Sequence, residues 1–472
     1  MRRIILIILM VFAAAGVLRA QEGELALNWD PVRNTLTGIV DISGTADIPD
    51  QFYFFLEAAP WDAEAETPIW QPVTSYVMAP VVDGALGSWN TSRFADGFYQ
   101  LRLHAVNNAN ESAHYTLAPI LINNNSDLVN MEPVALITMS DRAPAEDGMT
   151  PSPAIDNRLP LPVGGHVLHF GDAAQDAMQR AGMTWVKWQI PFHIGIDDFV
   201  ARDRINRSHK AGMLVLLSIT GHKHDLAEGG DEYLDAYAAF LGEVAALGAD
   251  AIEVWNEMNL DREWPTGQID PRRYAIMLQK AYTAIKAANP DTLVITGALA
   301  PTGAEGAFGL AKVWNDDRYY LGMANAGVAQ YADCIGVHYN EGVLAPTQRG
   351  GDPRADDYPT RYFLPMLDRV AWPFNNADIP MCLTEMGYLS REGYGPLPRG
   401  FEWAGRVTVA RQAEWLAQAI QMASNYTRMP VELFIIWNID FDNYGADPQA
   451  GYAIIRPDGS CLACNTIAQL KR

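Results

Sequence analysis

Behind Arg2 and Arg3 the chain opens on an uninterrupted apolar run, Ile4 to Leu18, followed by the small residue Ala20. A positive start, a short apolar stretch and a small cleavage residue predict an export signal over residues 1–20; the run is shorter than the roughly 20 residues that span a membrane. The protein is therefore expected to be secreted or displayed at the cell surface, with membrane contact only if this segment is kept as an anchor. From 24 to 125 the pattern is β-rich. Short runs (Leu36 to Ile42, Phe52 to Glu57, Val73 to Met78, Phe98 to Val106, Tyr115 to Ile122) are separated by Ser43-Gly44, Asp83-Gly84 and Asp96-Gly97, with no sustained helical period. Strands at this spacing predict a small all-β sandwich. Residues 126–162 are proline-rich beyond Ser140 and read as a linker or wrapping segment.

From 163 to 472 the period alternates between strand and helix. Eight strands are expected: Gly165–Phe170, Thr184–Ile190, Met213–Thr220, Ala251–Asn256, Thr292–Ala298, Cys334–Tyr339, Ile379–Glu385 and Val431–Trp437. Between them, Tyr233–Leu247 carries an apolar stripe at helical spacing, Pro271–Ala288 starts with Asp270 as N-cap and Pro271 at the first turn, and Ala404–Tyr426 is a third long helix. Eight strand–helix units over about 300 residues fit a (β/α)8 TIM barrel. A doubly wound sheet fits less well, because the first strand ends in His169-Phe170-Gly171-Asp172, without a glycine-rich phosphate loop. The fold class is thus α/β, a TIM barrel preceded by a small all-β domain.

Composition narrows the function. The 472 residues are 49% hydrophobic and 19% charged, enough for a large core, and the formal net charge is -22. With no basic patch to offset that charge, nucleic acid is excluded as a partner, whereas a neutral polymer is tolerated. Four cysteines make no disulfide scaffold. Cys334 and Cys382 fall in predicted strands and read as buried thiols; Cys461 and Cys464 are either paired or free, and a lone C-x-x-C is weak grounds for zinc. No cofactor motif is present.

In a TIM barrel the chemistry sits at the C-terminal ends of the strands. The fourth strand runs into Asn256-Glu257 and the seventh ends at Glu385, so two glutamates stand on one rim, three strand–helix units apart. Two facing carboxyls are what cleavage of a glycosidic bond needs: one protonates the departing oxygen, the other attacks the anomeric carbon. A lone glutamate at a strand end is more often a surface or ion-pair residue. Two, each closing an apolar strand at matching depth, are hard to explain by packing. Trp437 offers a flat face for a sugar ring or fills the core, and His338 orients Glu385 or a hydroxyl, or is a satisfied core histidine. His222, in Gly221-His222-Lys223-His224-Asp225, reads as a sugar-subsite loop, since two histidines and an aspartate are too few for a metal site. Loop tryptophans (Trp264, Trp314, Trp372, Trp403) suit an open glycan cleft.

Ile252-Glu253-Val254-Trp255-Asn256-Glu257-Met258-Asn259-Leu260 resembles the fourth-strand motif of clan A glycoside hydrolases, most closely families 39 and 5, and Leu383-Thr384-Glu385-Met386-Gly387 is similar to their seventh-strand nucleophile motif. Val337-His338-Tyr339 and Ile435-Ile436-Trp437 are similar to their sixth- and eighth-strand regions. The resemblance covers about residues 163–472. It implies a retaining glycoside hydrolase with Glu257 as acid/base, Glu385 as nucleophile, Asn256 on the sugar 2-hydroxyl, and Trp437 under the ring. Three positions depart from the pattern: Met258 replaces a proline, Lys187 stands where an arginine touches the nucleophile, and Tyr339 follows His338 directly. Leu86-Gly87-Ser88-Trp89-Asn90-Thr91 with Asp96-Gly97-Phe98-Tyr99-Gln100-Leu101-Arg102-Leu103 resembles Ig-like modules of bacterial extracellular proteins, which bears on fold only. The expected partner is an oligo- or polysaccharide. The competing readings are a non-catalytic glycan-binding barrel and a surface scaffold; the sugar, exo or endo action, and hydrolysis against transglycosylation stay open.

Overall fold

The computed structural model describes residues 24–28, 35–61, 68, 70–74, 76–107, 112–124, 137–139, 149–196, 198–354 and 357–470. The predicted signal segment and most of the predicted linker lie outside them. Among the described residues no helix is long and apolar enough to cross a membrane.

The described residues between 24 and 122 form two sheets. The smaller joins Glu24–Leu27, Ile39–Asp47 and Val81–Asn90; the larger is built on Gln51–Pro60, Gly97–Asn107 and Ser112–Ile122. They enclose one core, to which the small sheet gives Leu27, Ile42, Leu86 and Trp89, and the large sheet Phe54, Leu56, Leu101, Leu103 and Ile120. Alternation along each strand produces this: every second residue faces inward. Ile137–Met139, within the predicted linker, pairs with Thr116–Ala118.

The second half is a barrel of eight parallel strands: β1 (Val163–His166), β2 (Trp185–Pro191), β3 (Leu214–Thr220), β4 (Ala251–Val254), β5 (Leu293–Thr296), β6 (Ile335–Tyr339), β7 (Met381–Met386) and β8 (Val431–Ile436). The strands lie in the order β5-β4-β3-β2-β1-β8-β7-β6. Parallel bridges Ile295↔Cys334 and Leu299↔Val337 join β5 to β6 and close the ring. This is the (β/α)8 barrel expected from the sequence. Its helices start where their caps dictate: Asp270 accepts from the amide of Arg272 at 2.9 Å ahead of Pro271–Ala288, and Thr408 accepts from Arg411 at 3.1 Å ahead of Val409–Ser424. The stripe expected over Tyr233–Leu247 is the second half of a longer helical stretch, Lys223–Ala246, broken at Gly230.

The barrel interior is layered. The lower layer is apolar: Trp185, Leu216, Ala251, Ile295, Cys334, Cys382, Leu433 and Ile435. Two residues along, the same faces carry Lys187 on β2, Glu253 on β4 and Thr384 on β7, so a polar layer rests on the apolar one. One expectation is corrected here: Cys334 and Cys382 are not free thiols but a disulfide linking β7 to the residue that precedes β6. Adjacent strands bring their Cα atoms to 5.9 Å, within bridging range. Cys461 and Cys464 also pair with each other.

Candidate active site

Glu257 and Glu385 reach the cleft by local departures from regular strand geometry. The chain leaves β4 through two residues in the left-handed region, Trp255 (φ 73°) and Glu257 (φ 42°). Such backbone is costly for residues with a Cβ and persists only where the surroundings enforce it. Here the Glu257 amide donates to the Ala298 carbonyl at 2.9 Å, and the Asn259 amide group donates to the carbonyls of Ala300 and Trp314, each at 3.0 Å. On β7, strict alternation would send Glu385 away from the face of Thr384. The register against β6 slips between Val337 and His338, so His338 lies opposite Glu385. Such a bulge re-aims a side chain.

The result is a cluster at the barrel mouth. One oxygen each of Glu257 and Glu385 and one ring nitrogen of His338 all lie within 4.8 Å of one another. His338 Nδ1 is 3.1 Å from Glu257 Oε1 and 3.6 Å from Glu385 Oε2. Lys187, fully buried, bridges the layer below: its Nζ is 2.9 Å from Glu253 Oε2 and 3.2 Å from Glu385 Oε1. Glu253 is also fully buried; its Oε1 accepts from the Thr384 hydroxyl at 2.6 Å and from the Ala298 amide at 3.3 Å. His166 Nδ1 stands 3.8 Å from Glu385 Oε1. At the rim, Arg262 donates to Glu257 Oε2 and, through Nε, to Glu263 Oε1 at 3.0 Å.

Charge placement sets the ionisation of these groups. Burial opposes the charged form of Glu385, but His338 and Lys187, with His166, outweigh it and hold the carboxyl far below its ordinary value. Burial lowers His338, and the negative charge of Glu385 together with the bond to Glu257 reverses this, so its proton affinity is raised. Lys187 is raised against burial by Glu253 and Glu385, and Glu253 is lowered against burial by Lys187 and His338. His166 is lowered, mainly by burial. Glu385 is thus a carboxylate. The two carboxyls and His338 are also close enough to be metal ligands, but Lys187 and Arg262 already supply cations to this carboxylate set.

The cleft above has a volume of about 610 Å3 and is lined by Asn256, Glu257, Glu385, Trp437, Trp403 and Tyr452, among others. Asn256, Lys187, His338 and Trp437 therefore converge on the carboxylate pair. Tyr339 does not: it is buried, its hydroxyl donates to the Arg361 carbonyl at 3.1 Å, and its ring packs on Phe363 and Tyr388. Following His338 directly, it takes the opposite face of β6. Nor does His222 reach the cleft lining; it stands at the N-terminal end of the helix Lys223–Ala246, and its side chain pairs with Asp225 at 3.0 Å. Of the loop tryptophans, Trp403 lines the cleft, whereas Trp264 is buried and donates to the Gln268 carbonyl. Sequence reasoning missed Glu253, Thr384, His166, Arg262 and Glu263. Glu253 had a visible signal, a charge inside the apolar run Ala251–Val254; Arg262 and Glu263 lie in a loop with none.

No protein-family profile matches the chain, and no curated protein matches it. Among solved structures, similar ones include a GH5_18 protein of Streptomyces cattleya in complex with Manb1-4GlcNAc (16% identity over 63% of this chain and 73% of that one, TM-score 0.43). Others are a GH113 beta-1,4-mannanase (14% identity, 66% and 98%, TM-score 0.39) and Bacteroides uniformis beta-glucuronidase 2 (14% identity, TM-score 0.40). The match to the glucuronidase takes in 90% of this chain but 47% of that one.

Proposed function

We propose that this chain is a retaining glycoside hydrolase acting on an oligo- or polysaccharide. The observation that carries the reading is the Glu257–Glu385 pair, with oxygens within 4.8 Å at the mouth of an open cleft. Retaining enzymes hold their carboxyls roughly 5–5.5 Å apart, and inverting ones need about 6.5–9.5 Å to admit a water. In the first step a Glu385 oxygen bonds to the anomeric carbon while the glycosidic C–O bond breaks, and Glu257 gives its proton to the departing oxygen. In the second, Glu257 takes a proton from water as the water oxygen bonds to the anomeric carbon and Glu385 departs. Lys187 and His338 keep Glu385 ionised for attack. Asn256 holds a ring hydroxyl, and Trp437 lies under the sugar. The N-terminal sandwich is read as an Ig-like module beside the catalytic barrel, and the whole as an exported protein.

Two measurements test this. In 1H NMR of early hydrolysis on a panel of aryl glycosides and polysaccharides, the first product anomer keeps the substrate's configuration; initial inversion would refute the double displacement. Glu257→Gln is expected to lose about 10²–10⁴-fold in turnover, the worth of a general acid, and Glu385→Gln more. Equal glycan binding by all three proteins with no turnover would make the barrel a lectin-like binder instead.

A further inference from the structure

The proposed mechanism needs a proton on Glu257, and the structure leaves no place for it on the cleft side. Glu257 Oε1 faces His338 Nδ1 at 3.1 Å. Oε2 accepts from Arg262. A guanidinium has five donors and no acceptor, so a carboxylic O–H on Oε2 would meet a donor head-on. Arg262 is also the one rim cation among the cleft-lining residues, and its side chain is 66% exposed while that of Glu257 is 8% exposed. Of the partners on Glu257, His338 is fixed inside the barrel and Arg262 reaches in from solvent. A second anchor stands ready, because Arg262 Nε already bonds Glu263 Oε1 at 3.0 Å.

We propose that Arg262 is a displaceable cover over the acid/base: the sugar on the leaving-group side takes its place at Glu257 Oε2, and Glu263 retains the guanidinium. This rests on the hydrolase reading. It makes Arg262 a positioning residue that raises the threshold for occupying the leaving-group subsite and leaves the sugar on the Glu385 side untouched.

The experiment compares wild type, Arg262→Ala and Arg262→Lys on a glycosyl fluoride and on the matching disaccharide, for the sugar found with the aryl glycoside panel. The fluoride leaves the subsite empty; the disaccharide fills it. Arg262→Ala is expected to lower the ratio of disaccharide KM to fluoride KM about two- to fivefold, the fold-change of one ion pair open to solvent on its Arg262 side. Arg262→Lys, which keeps a donor-only cation, should stay near the wild-type ratio. A ratio that rises in Arg262→Ala would show that Arg262 holds the substrate, and an unmoved ratio would show that nothing is displaced; either overturns the proposal. A thermal-melt cycle of Arg262→Ala with Glu257→Gln reads the resting contact without turnover. Non-additive melting shifts are expected, and additive ones overturn the proposal. If wild type cleaves no glycoside, the hydrolase reading fails by itself; calorimetric Kd values of manno-, cello- and xylo-oligosaccharides then replace KM, with the same expected direction.

Discussion

Lys187 shows how single residues set this site. An ammonium is a point charge without the bidentate fork of arginine, and here it serves two carboxylates at once, Glu253 at 2.9 Å and Glu385 at 3.2 Å, in a layer closed to solvent. Removing it leaves two buried carboxylates without their cation, so Lys187→Met is expected to cost about 3–5 kcal/mol by thermal melt. Lys187→Met with Glu253→Gln should recover part of this. The same change lets Glu385 hold its proton to higher pH, so the acidic limb of kcat/KM moves up; a limb that stays put while activity falls would mean that Lys187 acts through packing alone. The stability signs follow from the shifts. Glu385 is depressed from 4.5, so its contribution is complete above 4.5 and is lost as pH falls toward its folded value. His338 is raised from 6.5, so its contribution is present below 6.5 and is lost as pH rises through its folded value. Melting temperature should therefore decline on both sides, and His338→Gln should flatten the alkaline side. The convergence of Glu257 and Glu385 on one rim was legible because strand ends can be read one strand at a time. The partners of Lys187 were not, since they come from β4 and β7 and only barrel closure brings them together.

Elements were legible where period and caps agreed. All eight barrel strands and the helix Pro271–Ala288 lie where the apolar pattern puts them. β1 ends early, at His166 rather than Phe170, because the amides of Leu168, His169 and Phe170 go to the Asp440 carboxylate instead of a ladder. In the sandwich the reading failed where glycine was taken for a turn. Gly44 lies inside Ile39–Asp47, and a Cβ there would meet the Ala26 carbonyl oxygen of the neighbouring strand at 2.0 Å; Asp83-Gly84 lies inside Val81–Asn90, with Asp83 at φ 46°. Both mark close approach or a bulge within a strand. Of the two disulfides, Cys334–Cys382 went unread because spacing alone does not bring these residues together, whereas pairing of Cys461 with Cys464 was one of the two alternatives the sequence left open. Their effects should differ in size. By the chain-entropy relation a separation of 48 residues is worth about 4 kcal/mol and one of three residues about 2 kcal/mol. Cys334→Ala with Cys382→Ala should thus lower the melting temperature clearly more than Cys461→Ser with Cys464→Ser. Equal shifts in calorimetry would mean that chain entropy is not what the barrel disulfide supplies.

At the scale of the whole molecule, the sandwich holds the loop that follows the cleft tryptophan. Past Trp437, the Ile439 amide donates to the His166 carbonyl at 2.9 Å, and Asp440 accepts the three amides after β1. From the sandwich, Arg93 Nη1 donates to the Asp440 carbonyl at 2.6 Å and lies 3.9 Å from Asp442. His169 spans the same seam, with Nδ1 2.6 Å from the Pro72 carbonyl and Nε2 3.0 Å from Asp442. The β-domain therefore clamps a segment three residues from a side chain that lines the cleft, while Glu257 leaves β4 across the ring and Glu385 stands on β7, the neighbour of β8. Loosening the clamp should disturb Trp437 more than Glu257. Arg93→Ala is expected to destabilise by about 1.5–3 kcal/mol, the worth of a charge-assisted hydrogen bond, and to raise KM about threefold, equivalent to roughly 0.6 kcal/mol, with a smaller change in kcat. Hydrogen exchange should rise over residues 438–442 and not around Glu257. Arg158→Ala is the control, because the Arg158–Asp156 pair is more than three-quarters exposed and should move neither quantity. If Arg93→Ala lowers kcat as strongly as it raises KM, the seam reaches the carboxylate pair, and sandwich and barrel act as one catalytic unit.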